Sequence, residues 1–379
     1  MSKTLNRRQW LARSSTALGG TLLAGYGGLN LGLIPEVNAA PNSPIRMMFN
    51  ENPYGPSQAA RKAMIKAFNE GNLYSKDAYN TLRKIFAEQV GVTPDHVIIT
   101  SGSTEVLNVA GLIYGLNNGE IITPHPTYGR LYRYAERIGA KIHKIPLDEN
   151  VHFDLDGIRK AMNKNIKLVY LCNPNNPTTT ITPKDKLREL CEELSKNTCV
   201  MVDEAYFDYV TDPQYDTMID MVKDGHNIIV TRTASKIHGL AGLRVGFGIA
   251  DPETIKNLAR HITGTTNIIG LRAAIASFQD QEFQDFSRQK NLESREIVYK
   301  ALEKAGRKYL QSHTNFIFFH TGRPIKEFQK AMEQHGIIVG RPFPPYDDWC
   351  RVSMAKPEEM KLFASAFEKV MGVEIGIRN

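Results

Sequence analysis

Short runs of β-branched and aliphatic residues alternate along this chain with longer stretches whose apolar positions recur every three or four residues. The runs at 96–100, 120–123, 141–145, 166–171, 199–203, 227–231 and 244–249 predict seven strands. Between most of them lie amphipathic stretches, such as 104–116, 184–195 and 253–261, that predict helices. This rhythm is that of an α/β fold with a mostly parallel sheet covered on both faces, because a parallel neighbour is reached only through a crossover long enough to hold a helix. One connection departs from it. About a dozen residues separate Thr231 from Arg244, with the breakers Gly239 and Gly242 among them. That is near the lower limit for a parallel crossover, so the seventh strand is expected to run antiparallel.

A long charged helical stretch without internal breaker, 283–305, opens a second unit. There 315–320, 337–340 and 350–354 read as strands, and 324–335 and 356–370 as helices, which makes a smaller α+β domain. The predicted division is a leader at 1–40, an N-terminal arm at 41–75, a large domain at 76–282 and a small C-terminal domain at 283–379. No repeat or low-complexity linker separates the two domains, so they are expected to pack together with the site in the cleft between them.

Composition narrows the class. Of 379 residues, 42% are hydrophobic and 23% charged, the usage of an ordinary globular enzyme rather than of a disordered chain or a coiled coil. No stretch offers the roughly 20 continuous apolar residues of a spanning helix, so no integral membrane segment is expected. The net charge of +7 is partly a property of the N-terminus, where Lys3, Arg7, Arg8 and Arg13 face only Glu36. The rest has a mild excess with no basic run, which points away from nucleic acid. Asn6-Arg7-Arg8-Gln9-Trp10-Leu11 resembles the twin-arginine export motif, and a weakly apolar, Gly-rich stretch and Val37-Asn38-Ala39 follow it in the order of a cleavable signal. A periplasmic or otherwise exported protein is therefore expected, with the twin-arginine translocation machinery as a partner. That route resembles a carrier of folded cargo, which suits an enzyme loaded with a cofactor in the cytosol. Cys172, Cys191, Cys199 and Cys350 form no framework, and buried thiols are expected, with Cys191 and Cys199 the one pair near enough in sequence to consider for a bridge. Neither they nor the ten histidines show metal-ligand spacing, so no metal is predicted.

The candidate chemistry gathers at the carboxyl ends of the predicted strands: Gly102-Ser103-Thr104, Tyr128, Asn176, Asp203 and Lys236, with Arg244 starting the antiparallel strand at the same edge. Singly, each has a structural explanation: an N-cap, a turn, a strand end. Together they place an anion cradle, a phenol, an amide, a carboxylate and a lysine on the edge where parallel sheets bind ligands. No Gly-x-Gly-x-x-Gly or Gly-Lys-Ser/Thr motif accompanies them, so dinucleotide and Walker-type sites do not fit. Phosphate ligands, a carboxylate for a ring nitrogen and a lysine for a Schiff base are what pyridoxal phosphate requires.

Five ordered motifs then carry a resemblance: Asn50-Glu51-Asn52-Pro53-Tyr54-Gly55-Pro56, Pro126-Thr127-Tyr128, Asn173-Pro174-Asn175-Asn176-Pro177-Thr178, Val202-Asp203-Glu204-Ala205-Tyr206, and Thr233-Ala234-Ser235-Lys236 continuing to Arg244. From about Met48 to the C-terminus the chain resembles the histidinol-phosphate aminotransferase family, within the fold-type I, class I/II pyridoxal phosphate aminotransferases. The resemblance implies Lys236 as the Schiff-base lysine and proton shuttle, kept reactive by Arg244, and Asp203 as partner of the ring nitrogen. It implies Tyr206 and Asn176 at the ring oxygen and Tyr128 on the ring face. Gly102, Ser103, Thr104, Ser235 and Arg244 would hold the phosphate, with Thr233 beside them. For the substrate it implies Arg351 on the carboxylate, with Tyr54, Asn176 and Asn315 nearby. It also implies a homodimer in which Tyr74 reaches the partner's cofactor phosphate.

Departures bear on the substrate. Thr179 follows Pro177-Thr178 where the family has Gly, and His238 replaces an aromatic residue. Arg341 is displaced by one residue from the position of the family's phosphate-gripping arginine, in a shortened, proline-rich loop. That argues against histidinol phosphate as substrate, as does export, and Phe343, Tyr346 and Trp349 offer either an apolar pocket or core packing. The expected activity is transfer of an amino group between an L-amino acid and a 2-oxo acid by a ping-pong mechanism. A decarboxylase or β-lyase on the same fold, or a non-catalytic binding protein, are the alternatives, and the intact Lys236, Asp203 and Arg244 speak against the last.

Overall fold

The computed structural model of this protein describes residues 43–372, and the export segment expected over 1–40 lies outside them. Strand β1 is Ile45–Met47. The seven expected strands follow as β2 (Val97–Thr100), β3 (Glu120–His125), β4 (Lys141–Pro146), β5 (Ile166–Cys172), β6 (Cys199–Asp203), β7 (Ile228–Thr233) and β8 (Gly246–Ile249). They form one sheet in the order β2-β8-β7-β6-β5-β3-β4. β8 is antiparallel to both neighbours and every other pairing is parallel. The short connection before β8 thus has the predicted consequence.

Because helices cover both faces, the strands are continuous apolar runs whose alternate residues feed two cores. Val169, Leu171, Val200, Val202, Ile228 and Val230 join one cluster, with Phe247, Phe86 and Leu190. Leu168, Tyr170, Cys172, Cys199, Met201 and Ile229 join the other, with Val106 and Leu107 of helix Ser103–Gly115. This second face carries the chemistry. The period of two that places Cys199 and Met201 there places Asp203 there as well.

Strand ends depart from the expectation by one or two residues. β7 runs on to Thr233 because β8 pairs with it there, Thr233 opposite Gly246. Arg244 does not open β8; it sits two residues earlier with φ 57°, a left-handed backbone that cannot continue a strand. All four cysteines are free and buried, so the considered Cys191–Cys199 bridge is absent.

The C-terminal part holds helix Gln281–Lys304, β9 (Phe316–His320), helix Ile325–Glu333, β10 (Ile337–Val339), β11 (Trp349–Ser353) and helix Pro357–Met371. β11 pairs antiparallel with β9, over a core that includes Phe319, Phe328, Phe363 and Phe367. β10 takes an unexpected parallel partner, β1, with Ile45 opposite Ile337 and Met47 opposite Val339. The N-terminal segment is thereby fastened to the C-terminal part. Phe343, Tyr346 and Trp349 pack around Phe318, at 6.1, 5.8 and 5.1 Å between ring centroids. Phe343 is buried and Tyr346 and Trp349 half-buried, so the three pack as an aromatic cluster on Phe318.

Phe247 of β8 is fully buried, stacked on Phe86 at 3.9 Å and edge-on to Phe278 at 5.2 Å. Phe247→Ala would leave this junction of sheet and helices void. The expected cost is about 3–5 kcal/mol in chemical denaturation, and a loss under 1 kcal/mol would show that the stack does not anchor β8.

Candidate active site

A cavity of about 1030 Å³ opens at the carboxyl edge of the parallel strands, lined by residues following β2, β3, β5, β6 and β7 and by Arg341 and Arg351 from the C-terminal part. Of the sequence-predicted residues, Ser103, Thr104, Tyr128, Asn176, Asp203, Tyr206, Thr233, Ser235, Lys236, Arg244 and Arg351 line it.

One end of the cavity suits an anion. Helix Ser103–Gly115 points its N-terminus there, capped by Gly102 without a side-chain cap bond, so its first N–H groups stay available. Arg244 lies across them: its guanidinium donates to the carbonyls of Ala241 (2.8 Å) and Ser101 (3.4 Å) and to Ser235 Oγ (3.3 Å). Gly102 has φ 82°, and a Cβ there would collide with the Arg244 guanidinium. The position therefore demands glycine twice, for its backbone and for the arginine's approach.

Asp203 lies deepest, 1% exposed. Thr231 Oγ1 donates to its Oδ1 at 2.8 Å and Tyr170 Oη to its Oδ2 at 3.3 Å. Burial pushes its carboxyl up to about 6, against these two hydrogen bonds, which lower it. Glu204, next along the chain, faces the opposite side of the sheet. There it accepts from Arg232 Nε (2.7 Å), Thr217 Oγ1 (2.8 Å) and the Met218 N–H (2.7 Å), a buried pair that fixes the segment after β6.

Lys236 follows β7, and its ammonium donates to the Asn50 carbonyl at 3.0 Å. Burial, then the charge of Arg351, pulls the amine down to about 8, with Arg244 a smaller contributor than expected from sequence. About a tenth of it is then neutral at pH 7, against well under a thousandth for an ordinary lysine. Tyr206 Oη accepts from Asn50 Nδ2 (3.0 Å) and Asn176 Nδ2 (3.2 Å), which leaves its own O–H to donate elsewhere. Asn176 Oδ1 accepts from Arg351 Nη1 (2.7 Å), and Arg351 Nη2 donates to the Met48 carbonyl (2.6 Å). Arg351 Nε is buried without a partner. It is an N–H donor with hydrogen-bonding capacity left over.

The turn at 173–178 holds Tyr128 in place indirectly, because Asn175 accepts from Thr127 Oγ1 (2.6 Å) and donates to the Pro126 carbonyl (3.1 Å). Arg341 lines the cavity despite its displacement in the sequence, as do Arg130, Arg133 and Arg137 of helix Arg130–Arg137. Asn315 is buried and supports the lining from behind, donating to the carbonyls of Asn50 (3.0 Å) and Glu51 (3.3 Å). Of the expected residues Tyr54 is not brought in, and Tyr74, expected to serve a partner's site, stands outside this one. Tyr54 stands edge-on to Phe286 at 4.8 Å, and Tyr74 is 95% exposed beside a separate apolar hollow. Asn50, Tyr170 and Thr231 escaped sequence reasoning. For Thr231 a signal existed, since Thr231, Thr233 and Ser235 put hydroxyls at every second position leading to Lys236.

Residues 43–367 match the family model described as aminotransferase class I and II. A histidinol-phosphate aminotransferase from Moorella thermoacetica is 34% identical over 331 residues, 86% of this chain and 85% of its own length. A crystal structure from Erwinia carotovora atroseptica is similar with a TM-score of 0.84 at 38% identity, covering 86% of this chain and 95% of that one. The histidinol-phosphate aminotransferase from Sinorhizobium meliloti, solved in complex with pyridoxal-5'-phosphate, has a TM-score of 0.81 at 25% identity, covering 93% and 99%.

The charge on Asp203 is a cost to the fold. A carboxyl raised above its unfolded value destabilises the folded chain above pH 6, by roughly 3 kcal/mol, and the cost vanishes below pH 4, where both states are protonated. Without cofactor, Asp203→Asn should therefore melt a few degrees above the parent at pH 7.5 and lose that advantage near pH 4. Equal melting at pH 7.5 would mean that the carboxylate is not paid for by the fold.

Proposed function

We propose that this chain, which belongs to the aminotransferase class I and II family and is an aminotransferase dependent on pyridoxal 5'-phosphate, works on an L-amino acid and a 2-oxo acid that carry a second anionic group. The observation that carries the reading is the joint opening of Lys236, Asp203, Arg351 and the N-terminus of helix Ser103–Gly115 into one cavity.

The residues present fit the cofactor. Ser103, Thr104, Ser235 and Arg244, with the helix N–H groups that Gly102 leaves uncovered, would hold its phosphate. Asp203 would hold its ring nitrogen, Tyr206 and Asn176 its ring oxygen, Tyr128 its ring face, and Lys236 would bind it covalently. When bound, it supplies an electron sink for the pair left at the substrate's α-carbon. Lys236, with its amine pulled down to about 8, takes and returns the proton at that carbon. Arg351 holds the α-carboxylate, exchanging its contacts with Met48 and Asn176 for a forked grip that includes Nε.

The second anion is supported by Arg133 and Arg341 in the outer cavity. Among the described residues neither is paired with a carboxylate, while elsewhere arginines such as Arg159 and Arg272 are. Arg341 stacks on Phe343 with its guanidinium 4.2 Å from the ring centre and donates from Nη1 to the Pro342 carbonyl (2.9 Å), a contact that leaves its charge unpaired with any carboxylate among the described residues.

A homodimer follows from the family and from the exposed Phe68, Leu73 and Tyr74, which a second copy would cover while Tyr74 reaches its cofactor phosphate. The twin-arginine-like N-terminus supports export of the folded, loaded enzyme.

Lys236→Ala should abolish turnover and the visible absorption of the bound cofactor while the fold is retained; undiminished turnover would remove the mechanism. Glutamate should exceed glutamine in kcat/KM by at least about tenfold. Arg133→Gln with Arg341→Gln should close that gap by lowering the value for glutamate alone, and a persistent gap would take the second anion away from these arginines.

A further inference from the structure

Asp203 owes its place to strand register. β6 pairs with β7 so that Thr231 stands directly beside it, and with β5 so that Cys172 stands on its other side. Registered neighbours in a parallel sheet present their side chains to the same face, so Thr231 and Asp203 emerge together. Tyr170, two residues before Cys172, shares that face and reaches the carboxylate from below. The contacts are the 2.8 Å bond from Thr231 Oγ1 to Oδ1 and the 3.3 Å bond from Tyr170 Oη to Oδ2. Thr231 and Tyr170 are each fully buried.

We propose that Thr231 and Tyr170 are positioning residues that keep Asp203 ionised and aimed at the cofactor's ring nitrogen, Thr231 fixing one oxygen and Tyr170 the other. This rests on the reading of Asp203 given above. The reason is electrostatic: a carboxyl this deep favours its neutral form unless hydrogen bonds to the charged form offset the lost hydration. A neutral acid would no longer hold a protonated ring nitrogen by charge. Both donors are suited to the task, since a threonine hydroxyl does not titrate in this range and burial pushes the Tyr170 phenol well above its usual value. The other groups facing the carboxylate are few. Cys172 on β5 is kept neutral by burial. Glu204, directly after β6, repels it weakly and is offset by Arg232. Tyr128 lies across the cavity, and Lys236 attracts it from the segment after β7.

The test uses the holoenzyme of the parent, Thr231→Val, Thr231→Ser and Tyr170→Phe. Three quantities are read: the pH midpoint below which the cofactor's visible band is lost, its dissociation constant at pH 7.5, and the split between kcat and KM. Thr231→Val should raise the midpoint by about one pH unit and weaken cofactor binding about tenfold, because the carboxylate loses the shorter of its two side-chain hydrogen bonds and keeps those from Tyr170 and the Ala205 N–H. It should lower kcat with KM for the amino acid unchanged within twofold. Thr231→Ser should restore all three, and Tyr170→Phe should act in the same direction by less, in keeping with its longer bond. An unmoved midpoint in both Thr231→Val and Tyr170→Phe would overturn the proposal. So would a Thr231→Ser variant as impaired as Thr231→Val, since that is the mark of lost packing. A parent chain that binds no cofactor at any pH would instead refute the reading of the site on which this rests.

Discussion

A carboxylate held charged beneath a parallel sheet's edge is the constraint around which this molecule is arranged. Asp203 cannot be solvated where it lies, so its charge has to be held by hydroxyls from the strands on either side and by the nearby Lys236 amine. Those hydroxyls stand in position only if β5, β6 and β7 keep their register. A one-residue slip would turn Asp203 to the opposite face and bring Glu204 to the cavity in its place. The buried bond between Glu204 and Arg232 resists that slip, since it would have to be broken and both charges re-sited. Catalytic geometry and fold register are the same problem here.

Asn50 joins this edge to the C-terminal part. It sits at φ 55°, gives its amide to Tyr206, takes the Lys236 ammonium and the Asn315 amide on its carbonyl, and exchanges two further bonds with Ser353. Arg351 on β11 adds its bond to Met48. The segment from Met47 to Asn52 is therefore fastened at one end by β1 on β10 and at the other by Asn52, which donates to the Ile237 carbonyl and Ser287. The charged heads of Lys236 and Arg351 are hydrogen-bonded to amide oxygens, those of the Asn50 and Met48 backbone and of the Asn176 side chain, rather than to carboxylates. Such partners are easily exchanged for a better-charged ligand, whereas a buried salt bridge would have to be broken at several kcal/mol.

Much of the fold was legible in the chain. Strands covered on both faces read as unbroken apolar runs, so β2 to β8 could be found, and the length of one connection told that β8 reverses. β1 left no such mark: three residues with an arginine in the middle make no run, and they are a strand only because β10 lies beside them. The ends of β7 and β8 were misplaced for a related reason, since a strand ends where its neighbour does. Aromatic residues near Arg351 left two readings open, and only the position of Phe318 showed them packing on one another around it.

The sequence by itself determined which chemical groups reach the edge, because every parallel strand of such a sheet delivers its carboxyl end to one side. Asp203, Lys236, Asn176 and the Gly102-Ser103-Thr104 turn could be named on that ground, and five ordered motifs told which family they belong to. Tertiary structure alone decided which group touches which. Thr231 beside Asp203, Asn50 on Ser353 and Arg341 inside the cavity are contacts between positions tens to hundreds of residues apart, set by lateral strand order and by the packing of the C-terminal part on the sheet. Local pattern encodes how a segment folds and which face it buries; it carries no record of the neighbour it will meet there, and the charge state of a buried group depends on that neighbour.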